Sequence, residues 1–216
     1  MSLPGELRTV PHVAEAFAEL VTDLVPRSIA LSGGETARHC YEMLVIADLD
    51  WSAVSVFFGD ERWVPVNDPD SNEECARTAF LDGAGIGKVH SLRGAGETPD
   101  EAAVAYDALL RREPPIDLIH LGLGPDGHTA SLFPGTSALD ESERLVVPNR
   151  DDAHPHPRVT FTFPAIARCR VALVTVAGTG KREALRRIRD GEDLPAAHIS
   201  AGEVIWLVDP AAAGSD

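Results

Sequence analysis

Asp126-Gly127-His128 is where the residue types in this chain first promise chemistry. An imidazole takes or gives a proton near neutral pH, and a carboxylate two residues away can orient it. The pair follows Leu118 to Leu123, an apolar run of the kind that forms a buried strand, and sits in a turn with Gly122, Gly124 and Gly127. Three more stretches put reactive groups directly after an apolar run. Ser32-Gly33-Gly34-Glu35-Thr36 follows Ser28 to Leu31 and precedes a helical pattern, an arrangement that offers free N–H groups and a positive helix end to an anion. Asp60-Glu61-Arg62 follows Ala53 to Phe58, and an arginine there can hold a phosphate or carboxylate in its fork. Gly178-Thr179-Gly180-Lys181 follows Val171 to Val176; glycine, a threonine cap and a lysine at a helix start suit a single phosphate. Each stretch alone also has a plain reading: a turn with a surface histidine, a glycine-rich βα loop, an ion-paired loop, a capped helix with a surface lysine.

The glycines at 122, 124 and 127 spell G-x-G-x-x-G, but a dinucleotide site needs a full helix after the turn. Pro134 ends any helix six residues beyond His128, and the next stretch reads as loop. The late Gly-Lys is not a P-loop either, since Thr175 and Arg182 stand where glycine and a hydroxyl residue belong. His154 and His156, flanked by prolines and without a third ligand nearby, read as a solvated loop rather than a metal site. No structural zinc is expected.

Strands and helices must bring these pieces together. Val13, Phe17, Leu20 and Leu24 share one face of a helix over 11–25. Ser71 to Glu74 and Thr98 to Glu101 are capping boxes, the first opening a helix through Leu81 and the second carrying Pro99 at its first position. Further strands are expected at 145–148, 158–163 and 204–208. The alternation predicts an α/β fold with a mostly parallel sheet covered on both sides, in a single domain over 1–216, with a small subdomain around 135–165. Parallel strands then bring all four loaded segments to one edge, where open α/β sheets bind ligands.

The 216 residues carry a formal charge of −15, which argues against nucleic acid and anionic membrane surfaces. No apolar run reaches the ~20 residues of a membrane helix. Cys40, Cys75 and Cys169 are scattered and odd in number, as in a reduced, cytoplasmic protein. The only lysines are Lys88 and Lys181, so a lysine at a glycine-rich turn stands out.

Taken together, Leu31 to Thr36, Gly59 to Pro65, Leu121 to Pro134, Arg158 to Thr160 and Gly178 to Lys181 resemble the motifs of the 6-phosphogluconolactonase family, end to end along the chain. That resemblance implies a three-layer Rossmann-like sandwich shared with glucosamine-6-phosphate deaminase and ribose-5-phosphate isomerase. It also implies hydrolysis of a sugar phosphate lactone in the oxidative pentose phosphate pathway, without a cofactor. In this reading His128 is the general base, with Asp126 first and Asp60 second as candidates to orient it. Arg62 holds the substrate or the oxyanion, and Ser32, Gly33, Gly34, Thr36, Arg158 and Lys181 bind substrate, chiefly its phosphate. The chain departs from the family pattern at Glu35 and Ala37, and offers His154 where a lysine is common. A monomer or weak homo-oligomer is expected. The rivals are a glucosamine-6-phosphate deaminase-like isomerase, whose D-G-H usually continues differently from Thr129 to Pro134, and a non-catalytic sugar-phosphate-binding module.

Overall fold

A computed structural model describes residues 3–214. Its strands are β1 (Glu6–Thr9), β2 (Ser28–Leu31), β3 (Ser55–Phe58), β4 (Asp60–Arg62), β5 (Lys88–Val89), β6 (Leu118–Gly122), β7 (Val146–Asn149), β8 (Arg158–Phe161), β9 (Val171–Val176) and β10 (Glu203–Val208). Its helices are α1 (Val13–Leu24), α2 (Glu35–Leu44), α3 (Asn72–Ala76), α4 (Pro99–Arg112), α5 (Phe163–Ala167), α6 (Arg182–Arg189) and α7 (Pro210–Ala213). Seven strands form one sheet in the order β1-β10-β9-β6-β2-β3-β5, every neighbouring pair parallel.

Strand side chains alternate between faces, so each central strand supplies both layers. On β6, His120 turns to the face where Phe17 of α1 and Tyr41 of α2 pack against it. Phe57 of β3 turns the other way and meets Tyr106 of α4, which also reaches Phe161 of β8. The result is the expected three-layer α/β sandwich. Its apolar core is continuous through both layers, with Ile29, Leu118, Leu173 and Trp206 all inaccessible to solvent.

Both capping boxes open helices. The Ser71 hydroxyl accepts the Glu74 N–H and Thr98 accepts that of Glu101. The first helix, α3, widens into a π-turn over Arg77–Leu81. Two short edge strands, β1 and β5, carry too few apolar residues to be read from the sequence. Asp60 to Arg62, expected as loop, is a strand. It pairs antiparallel with β8, which pairs in turn with β7, making a second, three-stranded sheet that draws residues 60–62 together with 146–161.

Candidate active site

The four loaded segments follow β2, β3, β6 and β9, and these are four consecutive strands in the centre of the sheet. After β2 the chain proceeds toward β3 and β5; from β6 it proceeds the opposite way, through β9 to β10. The switch in winding direction thus falls between β2 and β6, where connections leave in opposite directions and a crevice opens. A cleft of about 580 Å³ lies there, lined by Ser32, Gly33, Gly34, Asp60, Arg62, His128 and Lys181, with Asn72, Leu123 and Pro125 among others.

The His128 ring is held from three sides. Its Nδ1 lies 2.6 Å from Asp126 Oδ1, which also accepts the His128 N–H at 3.2 Å. Phe133 meets the ring edge-on at 4.9 Å between centroids. Below it is Gly124, where any Cβ would stand 2.2 Å from Nδ1 and 2.6 Å from Asp126 Oδ1, so only glycine lets ring and carboxylate settle over this turn. Ala130, two residues on, has a φ of 48°, a costly angle for alanine that marks a loop held in place by its surroundings. Burial pushes the Asp126 carboxyl up, but the hydrogen bond and charge of His128 outweigh it and bring it down to about 2. Asp126 is thus an anion beside Nδ1, which leaves Nε2 as the ring atom free to meet a reactant.

Asp60, the second candidate to orient His128, is otherwise engaged. Ser131 Oγ donates to its Oδ2 at 2.6 Å and Asn72 Nδ2 lies 3.2 Å from Oδ1. It lines the cleft but does not meet the histidine. Arg62 is anchored by donating from Nη1 to the Asp70 carbonyl at 2.7 Å. Arg158 stands directly opposite Arg62 in the antiparallel ladder. Its guanidinium donates to the His156 carbonyl at 3.2 Å and lies 5.9 Å from the Phe133 ring centroid. Burial lowers its pKa, helped by the charge of Arg62, and it is not among the residues lining the cleft.

Gly34 holds the N-cap position of α2 at φ 96°, with no side chain capping the helix. The first-turn N–H groups of α2 therefore remain for an anion. Thr36 lines an adjoining cavity together with Ser32, Gly33, Gly34 and Lys181. Burial pulls the Lys181 ammonium below its ordinary pKa, with the Asp126 charge opposing. The expected threonine cap is absent: Gly178 occupies that position, at φ 87°, and its N–H goes to Asp209 Oδ2 at 2.8 Å.

Two more residues enter the site: Asn72, which motif reasoning passed over, and His154, which it read as part of a solvated loop. Asn72, 1% exposed, donates from Nδ2 to the Asp60 carbonyl at 2.9 Å, while its Oδ1 finds no partner among the described residues. A Cβ on Gly33 would stand 1.8 Å from that oxygen, so glycine is what admits the amide to the cleft wall. A buried orphan acceptor in a cleft fits a hydroxyl donor on a ligand. His154 stacks on Phe133 at 4.1 Å, lies 5.4 Å from the His128 ring, and is bonded through Nδ1 to Asp151 at 2.8 Å. It therefore belongs beside the dyad and not in a solvated loop, whereas His156 goes to Asp70. Asp126, His128 and His154 bring possible metal-ligand atoms within 4.8 Å of one another, and Asp126 and His128 are already joined by their hydrogen bond.

Residues 7–206 match the profile of the family described as "Glucosamine-6-phosphate isomerases/6-phosphogluconolactonase". A 6-phosphogluconolactonase of Synechocystis sp. is 43% identical, over 94% of this chain and 90% of its own. Among solved structures, 6-phosphogluconolactonase from Trypanosoma cruzi superposes with a TM-score of 0.82 at 27% identity, covering 99% of this chain and 97% of its own. A monomeric glucosamine-6-phosphate deaminase shares the fold, with a TM-score of 0.83 at 20% identity over 98% of this chain and 100% of its own. With a cleft at the switch point, an Asp-held histidine in it and likeness along almost the whole chain, this protein belongs to the glucosamine-6-phosphate isomerase/6-phosphogluconolactonase family.

Proposed function

We propose that the chain hydrolyses 6-phospho-D-glucono-1,5-lactone to 6-phospho-D-gluconate, the lactone-opening step of the oxidative pentose phosphate pathway. One observation carries the reading. An imidazole fixed by a carboxylate shares a single cleft with an arginine, a lysine and the strand-to-helix turn that opens α2. Lys181 and the open N–H groups beyond Gly34 match the phosphate. In the same cleft, Nε2 of His128 takes a proton from water as the water oxygen bonds to the lactone carbonyl carbon. The carbonyl electron pair moves onto oxygen, where Arg62 offsets the charge. Collapse breaks the bond between that carbon and the ring oxygen, which receives the proton from the imidazolium. Water is added across the ester, and nothing is oxidised. A general base of this kind contributes typically ~10²–10⁴ in rate.

Support for the lactone as substrate comes from the relatives named 6-phosphogluconolactonase. Lactones of this kind also open unaided, so the test is acid release from lactone generated in situ, with and without protein. Clear excess over the spontaneous rate, and no ammonia from glucosamine 6-phosphate, is the expected result. Ammonia release without lactone hydrolysis would overturn it in favour of the deaminase-like reading. We also infer a cytoplasmic monomer or weak homo-oligomer without nucleic-acid or membrane partners. Its charge of −15 and three free cysteines support this, and no helix among the described residues is long and apolar enough to cross a membrane.

A further inference from the structure

Under the Ser32–Gly34 turn lies a buried string of polar groups that the hydrolysis itself does not use. Tyr41 of α2 is inaccessible to solvent, and His120 of β6 is 1% exposed. The Tyr41 hydroxyl accepts the Ser32 N–H at 2.7 Å and donates to the Ser32 carbonyl at 3.0 Å. It also lies 3.0 Å from His120 Nδ1, while His120 Nε2 lies 2.8 Å from Thr175 Oγ1 on β9. A phenol has one proton to give. We infer that this proton goes to the Ser32 carbonyl, the acceptor within the same turn, and that His120 donates from Nδ1. Its Nε2 is then the acceptor, and the Thr175 hydroxyl donates to it. Burial drives the His120 pKa down to about 3 and that of Tyr41 well up, so both stay neutral.

This order of donors and acceptors has a consequence for the cleft. In a trans peptide the C=O and the following N–H point in opposite directions, and no described peptide bond is cis. With the Ser32 carbonyl turned down onto Tyr41, the Gly33 N–H is turned away from it, and Gly33 is one of the residues that line the cleft.

We propose that Tyr41, held by His120 and Thr175, is a positioning residue that fixes the Ser32–Gly33 peptide plane so that the Gly33 N–H is presented to the anionic group of the bound sugar phosphate. This rests on the reading of the cleft as a sugar-phosphate site. It gives Tyr41 and Thr175 a role in affinity although neither is near the dyad, and it assigns His120 to structure rather than to proton transfer.

The test uses the full chain with Tyr41→Phe and Thr175→Val. Three readouts are needed: kcat against KM for the lactone, the inhibition constant or dissociation constant of inorganic phosphate, and the imidazole ¹⁵N shifts of His120. Tyr41→Phe removes the clamp. Thr175→Val removes the partner of Nε2 and leaves the ring held through Tyr41 alone, so the clamp is less firmly seated. Each variant should weaken phosphate and raise KM by about three- to tenfold, with kcat within about twofold and an unmoved pH profile. The wild-type ¹⁵N spectrum should show the proton on Nδ1 between about pH 5 and pH 9, and so should that of Thr175→Val, where no acceptor faces Nε2. A wild-type proton on Nε2, an unchanged phosphate affinity in Tyr41→Phe, or a fall in kcat at constant KM would overturn it. If Tyr41→Phe fails to fold, the wild-type spectrum and Thr175→Val still decide. Should the wild type bind phosphate but not hydrolyse lactone, the functional reading fails while the phosphate titrations continue to test this one.

Discussion

At the scale of single residues, the site turns on which nitrogen of His128 carries a proton. Asp126, an anion, accepts from Nδ1 and so leaves the lone pair on Nε2. Asp126→Asn should reverse this, because an amide N–H facing Nδ1 drives the proton to Nε2. We expect kcat to fall by about 10²–10⁴ with KM little changed, as for other orienting carboxylates, measured by lactone hydrolysis over background. A kcat within about twofold of wild type would leave Asp126 without that role. The dyad was legible in the sequence because its two members stand two positions apart in a glycine turn. Asn72 was not, since an asparagine just inside a capping box reads as helix-start chemistry until Gly33 is seen against it. His154 was not either; nothing local to residues 149–157 says that this loop folds back onto Phe133.

Among the elements, the joint between β4 and α3 decides whether Arg62 and Asn72 face the cleft, and Glu61 makes that joint. Its carboxylate accepts the N–H groups of Arg62 and Asn72 at 2.7 Å and of Glu73 at 2.8 Å, and the Ser71 hydroxyl at 3.0 Å. Burial pushes its pKa up to about 7 from 4.5, against the pull of those N–H groups. Between about pH 4.5 and pH 7 the folded state therefore holds a proton that the unfolded chain has released. The stability this contributes is full below about pH 4.5 and is lost as pH rises through about 7. Glu61→Gln does not titrate, so between about pH 5 and pH 8 the wild type should lose ~1–3 kcal/mol more than the variant. Urea unfolding at both pH values measures the difference, and equal pH dependence would contradict it. The chemistry of Asp60-Glu61-Arg62 was readable in sequence, but its strand was not, because the pairing partner lies at residues 158–160, nearly a hundred positions on.

Across the whole molecule, apolar runs at 28–31, 118–122 and 171–176 announced a buried parallel sheet, and the sheet is there. Their order in space was not announced. Nothing in either stretch says that β6 lies beside β2, which comes 90 residues earlier and opens the crevice where the winding reverses. Short pairings such as β1 with β10 bring together stretches almost 200 residues apart and leave little periodicity to read. That arrangement turns four weak signals into one cleft, with His128 and Lys181 on its walls. The most direct test is the turnover of His128→Asn on lactone generated in situ, read beside its affinity for 6-phosphogluconate. Loss of kcat by about 10²–10⁴ with binding retained is the predicted result; turnover equal to wild type would contradict the role given to this histidine.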